Sequence, residues 1–134
     1  MQIFYTGNVP YTRENAVAKI GETNTTIAQR ASTLRQEEGG MFKIAEYLIL
    51  KDNCDSVTKA VEGFVRWKLE KIGYENVGND HFVWKSNARE RQADYKEFTE
   101  FAIKFAVRFC EMNGIEYEIC KPEKTARTRV KRRK

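Results

Sequence analysis

Short apolar blocks separated by polar turns set the rhythm of the chain. Gln2 to Thr6 (QIFYT) is aromatic and β-branched and predicts a first strand, which Gly7, Asn8 and Pro10 break. A polar loop runs to Asn15, and residues 16–21 (AVAKIG) predict a second short strand that completes a hairpin. Thr23 to Thr26 offers N-cap candidates, and Ile27, Ala31 and Leu34 recur at helical spacing, so a helix is expected to about Glu37. Gly39 and Gly40 end it, and residues 42–51 (FKIAEYLILK) predict a third, central strand.

Asp55 or Ser56 then caps a second helix, with Val57, Val61, Phe64, Val65, Leu69 and Ile72 as its buried stripe. At about 100° per residue Glu62 falls just outside that arc, with Arg66 one turn on. Gly73 to Asp80 reads as a turn-rich connection and residues 81–85 (HFVWK) as a fourth short strand. From about Ala88 a long helix carries Tyr95, Phe98, Phe101, Ala102, Phe105, Ala106 and Phe109 on one face. Asn113 and Gly114 stop it, and residues 115–120 (IEYEIC) add an edge strand. The order β-β-α-β-α-β-α-(β) predicts an α+β fold: a small central antiparallel or mixed sheet of about three to four strands, flanked by helices, with a long aromatic-faced C-terminal helix.

Composition narrows the classes. At 134 residues, 41% of them hydrophobic, the chain supports one domain with a modest core. No apolar run is long enough for a membrane span, and the N-terminus lacks the pattern of a secretory signal. Cys54, Cys110 and Cys120 have no CxxC spacing, and the lone His81 does not complete a zinc cage with them. A reduced, cytoplasmic protein is expected, in a bacterial or phage-infected host cell. The net charge of +5 divides unevenly. Eight Lys and Arg against Glu123 make residues 121–134 a basic tail of net +7, leaving a slightly acidic body at 1–120. Such a flexible arm suits nucleic acid through counterion release, with Lys131, Arg132 and Arg133 as its densest contact.

The remaining chemistry lies in four motifs: Ile3-Phe4-Tyr5, Lys19-Ile20-Gly21-Glu22-Thr23, Arg30 and Glu62. In this order and spacing they resemble the GIY-YIG nuclease superfamily, in particular the phage-associated branch whose second motif reads Lys-Ile-Gly. The resemblance spans roughly residues 2–84. Glycine is absent from the first motif, Phe4 or Tyr5 occupies its aromatic position, and Lys19 stands where a second tyrosine is usual.

The resemblance implies a metal-dependent endonuclease acting on nucleic acid, on double-stranded DNA in the first instance, with Mg²⁺ or Mn²⁺ as cofactor. Glu62 is then the metal ligand, since one hard carboxylate suffices for an ion that keeps its waters. Arg30 grips the phosphate with its planar fork. Tyr5 positions or deprotonates the attacking water, helped by Lys19, and Gly21 and Thr23 let the backbone approach the substrate. The alternatives are a catalytically silent nucleic-acid-binding module and a phage-type inhibitor that meets a protein partner. A homodimer through the aromatic helix is a further expectation. Trp67 and Trp84 read as packing residues, and His81 as a strand-end surface residue.

Overall fold

The computed structural model describes residues 2–9, 17–38, 43–51, 54–76, 78, 81–84 and 91–122. The polar loop before residue 17, the start of the last helix and nearly all of the basic tail, including Lys131, Arg132 and Arg133, lie outside the described residues. The side chains of Trp84 and Tyr95 do so as well.

The chain runs β1 (Gln2–Val9), β2 (Val17–Thr23), α1 (Ile27–Glu38), β3 (Lys43–Leu50), α2 (Asp55–Lys71), β4 (Tyr74–Asn76), β5 (His81–Trp84), α3 (Arg91–Met112) and β6 (Tyr117–Cys120). The α+β class and the three helices agree with the sequence pattern. The sheet is larger than the expected three to four strands. Six antiparallel strands lie in the order β4-β5-β2-β1-β3-β6. The extra strand, β4, hides inside the turn-rich connection, where Tyr74 is the only apolar residue of the strand's three. It exists because Tyr74 pairs with Trp84 and Asn76 with Phe82 in a short hairpin.

Gly7 and Asn8 do not end β1. The strand continues to Val9, and the irregularity appears instead as a register shift against β3 between Thr6 and Gly7. There the Thr6 hydroxyl stands in for a ladder partner, donating to the Glu46 carbonyl (3.0 Å) and accepting from the Glu46 N–H (3.2 Å). A bulge of this kind bends a strand without stopping it.

The strands alternate cleanly between two faces. Phe4, Ala18, Ile20, Leu48 and Leu50 point to one face, where Val61, Val65 and Leu69 of α2 and Phe98, Ala102, Phe105, Ala106 and Cys110 of α3 cover them. Tyr74, Phe82 and Phe98 meet there as aromatic pairs 5.2 and 5.5 Å apart. Ile3 and Tyr5 point to the other face, where α1 contributes Leu34, with Ile27, Ile44, Tyr47 and Ile49 partly buried around them.

Two details of α2 depart from the pattern. Its N-cap is Cys54, which makes no side-chain capping bond, rather than Asp55 or Ser56. Asp55 instead accepts from Gln2 Nε2 (2.9 Å), while buried Thr58 donates to Gln2 Oε1 (2.7 Å), so a polar clasp ties the start of α2 to β1. At the other end Ile72 is the C-cap and exposed, outside the buried stripe.

Candidate functional site

The candidate site starts from the register of β1 on β2. Tyr5 stands directly across from Gly21 on one side and from Tyr47 on the other. Its ring is fully buried and lies over Gly21: a β-carbon there would overlap Tyr5 Oη and come within 2.5 Å of Cζ. Beside the expected approach of substrate backbone, Gly21 has a structural cause. The glycine seats the tyrosine.

From α1, Arg30 reaches down to this tyrosine, and its Nε donates to Tyr5 Oη at 3.2 Å. The guanidinium carbon is 5.8 Å from the ring centroid, beyond the hydroxyl rather than over the face. Arg30 is partly buried, and the contact uses Nε alone. Among the described residues no hydrogen bond engages the two Nη groups, the pair that forks onto carboxylate or phosphate.

The turn before α1 fixes where Arg30 starts. Thr26 and Gln29 form a reciprocal capping box, in which Gln29 N–H donates to the Thr26 hydroxyl (3.2 Å) and Thr26 N–H to Gln29 Oε1 (3.3 Å). Thr23, expected to touch substrate, turns its hydroxyl inward to the Thr25 N–H (3.2 Å) and hydroxyl (3.0 Å). It is a turn residue that delivers the helix. Lys19 is buried on the same face as Tyr5, across from Gly7, which has no side chain to fill the space.

Glu62 arrives from the other direction. It sits on α2, which covers the Phe4 face, so Tyr5 and Arg30 stand on one side of the sheet and Glu62 on the other. The three do not share a single concave face. What they share is β2. Among the described residues β5 pairs only with Ala18 and Lys19 of β2, and none of them pairs with the outer side of Ile20 to Thr23. Gly21, under Tyr5, belongs to that stretch. So does Glu22, whose carboxylate holds Lys59 of α2 at 2.9 Å. This bond raises the Lys59 pKa, and the charges of Asp55 and Glu62 add to the rise. Glu62 is one turn beyond Lys59, its side chain 16% exposed, with Arg66 3.7 Å away.

As a metal ligand, Glu62 offers one hard oxygen donor with two cations as neighbours. Among the described residues no group of three or more His, Cys, Asp or Glu gathers to hold an ion. The donor set fits magnesium only when water and substrate oxygens supply the rest, which is how that ion is commonly held.

His81 closes the β4–β5 hairpin through its backbone N–H to the Gly78 carbonyl (3.0 Å). Trp67 was expected to be packing and is 52% exposed. No protein-family model, curated protein or solved structure matches the chain. No helix among the described residues is long and apolar enough to cross a membrane.

Proposed function

We propose that the chain is a metal-dependent nuclease of GIY-YIG type, built around the Ile20–Thr23 stretch of β2, which cuts DNA phosphodiester bonds. The observation that carries this reading is the pairing of Arg30 with Tyr5 over Gly21. Tyr5, Gly21 and Arg30, separate in sequence, meet there, and the contact to Tyr5 engages Arg30 through Nε.

In this reading a phosphate docks at the Ile20–Thr23 stretch. Arg30 neutralises its non-bridging oxygens through the Nη pair. Its Nε–H to Tyr5 Oη holds the phenol oxygen in place beside the docked phosphate, where the tyrosine positions the attacking water. Glu62, on the α2 side, would hold magnesium or manganese, and the ion would supply charge stabilisation for phosphodiester cleavage. Lys19 adds positive charge on the Tyr5 face, and the tail, with Lys131, Arg132 and Arg133, adds affinity for the polyanion without sequence readout.

The second reading, a silent nucleic-acid-binding module, is favoured by one observation. Glu62 stands on the opposite face from Arg30, where Lys59 and Arg66 already neutralise it. Nicking of supercoiled plasmid with Mg²⁺ or Mn²⁺ separates the two. The nuclease reading expects nicking by the wild type, its abolition in Glu62→Gln and loss of most of it in Arg30→Lys, where the charge stays and the fork goes. A wild-type protein that binds plasmid and leaves it intact with either ion is the silent module.

A further inference from the structure

Trp67 is the large side chain least explained by the fold. It lies about 200° round α2 from Val65, the centre of the buried stripe, so core packing does not call for it. Two lysines of the last turn frame it, with Lys71 Nζ 5.3 Å and Lys68 Nζ 5.5 Å from its ring centroid. Phe64 holds it from one side at 6.0 Å, and Phe64 in turn rests on Phe109 of α3 at 5.2 Å. Lys68 also lies 5.5 Å from Phe105, so the second lysine is anchored across both helices. Exposed Lys104 and Arg108 flank that stretch of α3.

We infer that Trp67, with Lys68 and Lys71, is a stacking platform for a base of single-stranded nucleic acid. Both ammonium groups lie over the half-exposed indole, so a base stacks by taking the place of one of them, and the displaced ammonium meets a neighbouring phosphate. A duplex keeps its bases in its own stack and cannot use the platform. A protein partner fits less well, because interface centres that use tryptophan are depleted in lysine. The platform stands apart from the Tyr5–Arg30 corner, so it does not rest on the cleavage reading.

The test is binding of a labelled oligothymidylate by the full chain, read by anisotropy and by tryptophan emission, beside a duplex of equal length. Trp67→Ala is expected to weaken the single strand about five- to a hundredfold, the range of one lost stacking contact. Duplex affinity is unchanged, and Trp67→Phe recovers most of the loss. Lys68→Gln with Lys71→Gln lowers the slope of log K against log salt by roughly 1.4, about 0.7 for each phosphate contact on a single strand. Arg30→Ala keeps the difference between Trp67→Ala and its parent, whatever it does to cleavage. Equal single-strand affinity in Trp67→Ala and wild type, or an equal loss on single strand and duplex, overturns the platform. Because Trp67 is half exposed, an unchanged melting temperature in Trp67→Ala checks that the fold is intact.

Discussion

The two faces of the sheet are built by different means. On the face carrying Phe4, two helices bury a continuous aliphatic and aromatic core, from Ile20 and Leu48 through Val65 to Phe98 and Ala106. On the face carrying Tyr5, a single 12-residue helix covers the sheet, and among the described residues its buried apolar cluster is Ile3, Tyr5 and Leu34. The helix there is held by local polar devices: the Thr26–Gln29 box, the Thr23–Thr25 turn and the Arg30–Tyr5 bond. A thick face gains its stability from area removed from water. A thin face leaves polar groups near enough to solvent to act on a ligand. The Tyr5–Arg30 corner belongs to the thin one.

The largest effect is expected on the thick face. Phe98→Ala removes a ring packed against both Tyr74 and Phe82 and should cost about 3–5 kcal/mol in denaturant unfolding. Leu34→Ala, on the thin face, should cost about 2–3 kcal/mol, since α1 can settle into the space. A Leu34 loss equal to that of Phe98 would erase the distinction. Gly21→Ala drives a methyl group into the Tyr5 ring and is expected to cost about 1–3 kcal/mol and to move Tyr5 away from Arg30. Measured stability equal to wild type would mean that the ring is not seated there. Tyr5→Phe keeps the packing and removes the oxygen that accepts from Arg30; about 1 kcal/mol of stability goes with it. In the nuclease reading it also loses most of the cleavage.

The smallest effect tests the thick face by its chemistry. Burial pushes the Cys110 thiol up from 9.0 to about 11, with Glu111 adding to the rise. The neutral thiol is the form that the fold favours. Its contribution is whole below pH 9 and is lost as pH climbs from there through about 11, because the unfolded chain releases the proton first. Exposed Cys54 should react with a thiol reagent at pH 8 in the native protein, and Cys110 only after denaturation. Rapid labelling of Cys110 in the folded state would show that this core opens.

Periodicity revealed α1, α2 and the first three strands, because each keeps a long apolar pattern. It missed β4, whose three residues show their purpose only when Trp84 lies opposite. Gly7 and Asn8 looked like breakers; the bulge that absorbs them depends on Glu46, forty residues on. In the site, the order of motifs pointed to Tyr5 and Arg30. The reason for Gly21 was not legible, since it follows from a strand register. For Glu62 the helical wheel placed the side chain at the rim of a buried arc, and 16% exposure agrees. The wheel is silent about which face of the sheet a helix covers. That choice put α1 and α2 on opposite sides.

The sheet ends in two of its shortest strands, β4 with three residues and β6 with four. A growing fibril or a strand-swapped pair needs a long, flat, unpaired rim to extend. Here each rim is brief and bears exposed acids, Glu75 on one and Glu118 on the other, while Lys121 folds back on Glu46 beside β6. Two copies meeting rim to rim would bring like charges together, so self-assembly through the sheet is disfavoured at both ends.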